Sequence, residues 1–279
     1  MSETRPSPIA GLWYPADPQQ LEIEIQNYLD AATYRPIPGE LRALMVPHAG
    51  FRYSGKTAAY AYQYLIGKAI ETVYILSPYH DYHPDTFLTS AHSAYETPLG
   101  LVEVDQEGLA AIATDLLGRT DLRIQPVFKD KEHAIEIQLP FLQTVLKQPF
   151  RIVPIMVRSR NQENCQQLGE VLAAHFNSQN SLLIASTDLS HFYQEETAHQ
   201  LDAVILDAVR NHQPRGILSA EEKGTGFACG AGALSAVLWA AEKLGATQTE
   251  VLYYTTSAET TQDGQSVVGY ASAAFCQLL

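Results

Sequence analysis

The stretch "LLIASTDLSH", residues 182–191, opens on four apolar residues in a row and closes on a carboxylate and an imidazole, Asp188 and His191. Four apolar positions without polar alternation are what a strand covered on both faces requires, since neither face then meets water. The same pattern recurs at "ALMVPH" (43–48), "VYILSPYH" (73–80) and "RIVPIMV" (151–157). These runs alternate with longer segments of helical period. That alternation predicts an α/β fold: a single domain with a mostly parallel central sheet flanked by helices. Three of the four runs are followed within a few residues by a histidine: His48, His80 and His191.

Strands are expected near 41–46, 72–77, 86–90, 100–104, 151–157, 181–186, 250–256 and 267–275. Helices are expected near 18–29, 55–67, 106–118, 132–147, 161–177, 194–211 and 229–245. Asp17 followed by Pro18 reads as the N-cap and first turn of the first helix. "TTQDGQS" (260–266), with its Asp263-Gly264 turn signal, predicts that the last two strands form a C-terminal hairpin on one edge of the sheet. Pro140 lacks the N–H that a helix interior needs, so the 132–147 segment is expected to kink or break. Residues 1–10 are polar and proline-containing and are expected to be a mobile segment ahead of one domain over 11–279.

The chain has 279 residues, 46% of them hydrophobic and 18% charged, which is enough apolar material for a sizeable core. A net charge of -13 sets the surface against phosphate backbones and anionic lipid. Neither nucleic acid nor a membrane is expected as a partner. The three cysteines, Cys165, Cys229 and Cys276, are far apart and odd in number, which argues against a disulfide framework and for a cytoplasmic protein. "MSETRPSPIAG" lacks the apolar core of a signal peptide, and no apolar run approaches the ~20 residues of a membrane span.

In open parallel sheets, ligands gather beyond the carboxyl ends of the strands, where loops converge. His48, His80 and His191 all fall there, and the expectation is that they converge on one metal-binding site. A single loop histidine is ordinarily a surface residue; His83, three positions after His80, is explained that way. Asp188 and His191 together suit general acid/base work, the carboxylate fixing the imidazole's tautomer and raising its pKa. An equal alternative makes Asp188 the cap of a helix starting near Ser190. Cys229, in "GTGFACGAGAL", is read at the start of an apolar helix, where the dipole favours thiolate; a small buried residue is the equal alternative. Glu132, His133 and Glu136 of "KEHAIEIQLPFL" can line the same mouth, with capping or surface roles equally open. There is no HExxH, GxSxG or paired CxxC.

The motifs "AGLWYP", "VPHAGFRYSG", "LSPYH", "EHAIEIQLPFL", "STDLSHF" and "FACGAGAL", in this order, resemble the Memo family, which includes the prokaryotic AmmeMemoRadiSam system protein B. The resemblance runs from about Ala10 to the C-terminus. It implies a fold similar to the class III non-heme iron extradiol dioxygenases, with metal at His48, His80 and Cys229 and with Asp188 and His191 as catalytic neighbours. Where those dioxygenases have a glutamate, this chain has Cys229, and a thiolate makes the site softer. The implied metal is iron (Fe2+), with copper or zinc as alternatives, and the implied activity is redox chemistry on an unknown substrate. Trp13, Tyr53 and Tyr79 flank the motifs and are candidates for an aromatic substrate pocket. A peptide or phosphopeptide binding module, with Arg52 and Lys56 as a local positive spot, and a zinc hydrolase are the competing readings. The family name also implies a functional link to a radical S-adenosylmethionine enzyme and an Ammecr-type protein.

Overall fold

A computed structural model describes residues 4–278. In chain order the strands are β1 (Thr4–Arg5), β2 (Glu40–Val46), β3 (Thr72–Ser77), β4 (Phe87–Ser90), β5 (Ala94–Thr97), β6 (Gly100–Val104), β7 (Ile124–Val127), β8 (Arg151–Val157), β9 (Ser181–Ser186), β10 (His191–Tyr193), β11 (Gln248–Thr256) and β12 (Val267–Gln277). The helices are α1 (Pro18–Ala31), α2 (Phe51–Tyr62), α3 (Gln106–Arg119), α4 (Leu139–Val145), α5 (Gln162–His175), α6 (Glu195–Arg210), α7 (Pro214–Lys223), α8 (Ala231–Lys243) and α9 (Ala258–Thr261).

The main path of the sheet runs β1-β5-β6-β8-β3-β9-β2-β12-β10, and its central stretch from β6 to β2 is parallel throughout. The solid apolar runs lie in this stretch: every residue of β9 is buried, as are the last five of β2 and β3 and the last six of β8. β11 and β12 pair antiparallel, and β12 joins the parallel block through β2, so the expected hairpin does close one side of the sheet. The α/β single-domain fold read from the sequence is the fold observed. Among the described residues no helix is long and apolar enough to cross a membrane.

Asp17 caps α1 by accepting from the Gln20 N–H at 2.9 Å, and Leu21, Ile25 and Leu29 form its buried stripe. The 132–147 segment is broken as Pro140 requires: a 3-10 turn over Glu136–Gln138 leads into α4, with the proline in its first turn, where a missing N–H costs nothing. α2 starts at Phe51, four residues earlier than expected. α7 was not expected; it opens on Pro214 and closes on Gly224, which takes a left-handed φ of 67°.

The segment read as mobile is anchored from Thr4 onward. β1 pairs with β5, and the Arg5 side chain is buried in ion pairs with Asp130 (2.8 Å) and Glu136 (2.5 Å). Residues 1–3 lie outside the described residues. Ordered structure therefore begins ahead of residue 11: the buried carboxylates of Asp130 and Glu136 need a cation, and β1 supplies it in Arg5.

Candidate metal centre

β3, β9 and β2 are consecutive neighbours in the sheet, and their carboxyl ends deliver the loops that begin after Ser77, Ser186 and Val46. His80, Asp188 and His48 therefore meet without any long connection. Cys229 arrives from the other side, two residues ahead of α8. Its close approach is made possible by glycine: a Cβ at Gly230 would lie 2.7 Å from the Ser186 carbonyl oxygen, and one at Gly232 would lie 2.0 Å from that of Ser159. One donor atom from each of His48, His80 and Cys229 falls within 4.8 Å of the others.

His48 is buried, and its hydrogen bonds fix its tautomer. The Ser186 hydroxyl donates to the Ala134 carbonyl (2.6 Å) and accepts from the Gln138 amide (2.9 Å), so its remaining lone pair accepts from His48 Nδ1–H at 3.1 Å. Nε2 is then the basic nitrogen, and it faces Cys229 Sγ at 3.1 Å. Burial, reinforced by neighbouring His80, pushes the His48 pKa down to about 3, so the ring is neutral and ready to act as a ligand. Burial would also strip charge from His80, but Glu132 outweighs it and holds the His80 pKa above its ordinary value. Glu132 itself, despite burial, is held at about 2 by the hydrogen bond and charge of His80.

Cys229 corrects an expectation. It precedes the helix rather than starting it, and burial, with the Asp188 carboxylate adding to it, pushes its thiol well above the ordinary range. The dipole does not make a free thiolate here. Sγ nonetheless accepts the Asp188 N–H at 3.2 Å, a contact that strengthens once the sulfur carries charge.

Asp188 does not cap a helix near Ser190: the next helix is α6, and the intervening His191–Tyr193 is the short strand β10. Its Oδ1 accepts instead from the His48 backbone N–H at 2.7 Å, and burial raises its pKa to about 6. No Asp188–His191 hydrogen bond occurs among the described residues; the two are coupled electrostatically. Burial lowers the His191 pKa, with Asp188 opposing, so the expected raised pKa is not found. His191 Nε2 is buried without a hydrogen-bond partner.

The aromatic candidates separate. Trp13 lies against the His133 ring, centroids 4.1 Å apart, and His133 in turn stacks on His80 at 4.7 Å and meets His48 edge-on at 5.4 Å. Tyr79 sits edge-on to His83, and Tyr53 is half-exposed on α2 beneath the Arg52 guanidinium. Of the "KEHAIEIQLPFL" residues, Glu132 and His133 do line the site. Glu136 turns away to bind Arg5, Ser7 and Tyr14. Ser186 and Gln138 escaped sequence reasoning altogether, although Ser186 ends the very strand that gave the fold away.

The residues present fit a transition metal. Two imidazoles and a thiol converge, and the neutral one, His48, already points its Nε2 lone pair at the sulfur. The donor set is nitrogen and sulfur, which suits iron, copper or zinc over magnesium or calcium.

A MEMO1 family protein of Nitrosopumilus maritimus is 32% identical over 274 residues, covering 96% of this chain and 98% of its own. One from Methanosarcina barkeri is 34% identical over 266 residues, covering 95% and 97%. In three dimensions the chain resembles the crystal structure of an uncharacterized protein from Escherichia coli K12, with a TM-score of 0.55 at 12% identity over 85% of this chain and all of that one, a likeness of fold. The Memo-like protein family model matches residues 5–274, and the chain belongs to the Memo family.

Proposed function

We propose that the protein holds one transition metal between His48, His80 and Cys229 and acts as a non-heme, dioxygenase-like redox enzyme, with iron as the metal and copper as the next choice. The observation that carries this reading is the convergence of two imidazoles and one thiol within 4.8 Å at the carboxyl edge of the sheet. When bound, the metal supplies a redox couple and open coordination positions.

The chain supplies the rest. His48 and His80 bind as neutral imidazoles, and Cys229 binds after giving up its proton. His191 Nε2, buried and unpartnered, is the atom placed to hold or pass a proton. Asp188, at about 6, is its charged or neutral neighbour depending on pH. Trp13 and His133 form an aromatic wall along one side of the donors.

The phosphopeptide reading loses support because Lys56, one half of its positive spot, is ion-paired to Glu259. Anaerobic Fe(II)-loaded protein exposed to oxygen tests the redox reading. A change in metal or sulfur oxidation state that Cys229→Ser abolishes, and that Cys165→Ser and Cys276→Ser keep, supports it. An oxygen-insensitive wild type, with a peptide bound equally by metal-free and loaded protein, replaces it with the binding module.

A further inference from the structure

His48 owes its tautomer to Ser186. His80 has a different and stronger partner. The Glu132 carboxylate is buried at 5% exposure, 52 positions away in sequence. Its Oε2 accepts from the His80 backbone N–H at 2.7 Å, and both oxygens lie 3.0 Å from His80 Nδ1. Its Oε1 also accepts from the His133 and Ala134 N–H groups, each at 2.8 Å. One side chain thus grips His80 by backbone and ring together.

We propose that Glu132 is a positioning residue that fixes His80 in its Nδ1–H tautomer and so leaves the Nε2 lone pair for the donor set shared with His48 and Cys229. An ionised carboxylate only accepts, so the ring nitrogen facing it must carry the hydrogen. The opposite nitrogen is then basic, and the hydrogen bond raises its strength as a ligand. Arg5 holds the gripping residue in turn by donating to the Glu132 carbonyl oxygen.

A donor atom from each of His80, Glu132 and His133 also falls within 4.8 Å of the others, which raises a second cation as an alternative use of the same groups. The hydrogen-bond account goes against it. Three backbone N–H groups and the His80 ring already occupy the carboxylate, and a cation there would strip them of their buried acceptor.

The purpose of this grip rests on the metal-centre reading, but the tautomer does not. The test reads the ring nitrogens of His80 by NMR in metal-free protein labelled with 15N-histidine, at pH 8.5, with His80→Ala for assignment. Wild type is expected in the Nδ1–H form. In Glu132→Gln the amide oxygen takes the Oε1 place, where two backbone N–H groups donate, which puts the NH2 at the Oε2 place 3.0 Å from Nδ1, and the Nδ1–H form of His80 should lose population to Nε2–H. Zn(II) affinity, from chelator competition, should fall about 10- to 100-fold in that variant. A wild-type His80 in the Nε2–H form overturns the proposal, and this result needs no variant to fold. Glu132→Gln keeping both the wild-type tautomer and the wild-type zinc affinity also overturns it. Wild type taking up no zinc would count against the metal centre, while the tautomer would still decide for or against Glu132's grip.

Discussion

The Cys229 thiol is where residue-scale chemistry and function meet. Burial keeps it protonated without metal, so metal uptake must release its proton. Uptake of Zn(II) should therefore strengthen as pH rises from 6 to 8, with proton release measurable in weakly buffered solution; affinity independent of pH would contradict this. His133, pushed down to about 3 by burial and by His48, makes a second pH prediction. The unfolded chain binds a proton at this position below about 6.5 and the folded chain does not. Stability from His133 is thus complete above that pH and drains away as pH falls towards 3, at roughly 1.4 kcal/mol per pH unit. Asp188 slopes the other way: its raised pKa means stability falls as pH rises between about 4 and 6. Urea denaturation of metal-free protein from pH 6.5 to 4 should give a shallower loss for His133→Phe, which keeps an aromatic ring beside Trp13, than for wild type. Equal slopes would remove His133 from the account.

At the scale of elements, the N-terminal strand is the piece most easily undervalued. Arg5→Ala would leave Asp130 and Glu136 buried and unpaired, and should cost about 3–5 kcal/mol by chemical denaturation; a loss below ~1 kcal/mol would mean the buried pairs relax to water. The join of α8 to the sheet makes a similar demand at Gly232. Gly232→Ala forces a Cβ against the Ser159 carbonyl and should cost roughly 1–3 kcal/mol, read the same way. The parallel strands were legible in the sequence because burial on both faces leaves an unbroken apolar run, and the break at Pro140 because a missing N–H has one consequence anywhere. β1 was not legible, since two residues carry no period and the partners of Arg5 stand 125 and 131 positions away. α7 was missed because its buried residues, Pro214, Ile217, Leu218 and Ala220, make too short a stripe among polar neighbours.

For the whole molecule, the order β3-β9-β2 turns three separate sequence signals into one site, and the location of His48 and His80 follows from strand ends alone. What lay beyond sequence was each residue's state: the protonated Cys229, the neutral His48, and Asp188 bonded to backbone rather than capping a helix. Those depend on desolvation and on partners distant in the chain, which only the folded arrangement sets. Whether His48, His80 and Cys229 hold one metal is read by elemental analysis of protein purified without a histidine tag or added metal. Close to one equivalent of transition metal per chain is expected in wild type, iron foremost, with a sharp loss in folded His48→Ala, His80→Ala and Cys229→Ser. Full loading in all three variants, or a wild type that neither contains nor takes up a transition metal, would contradict it.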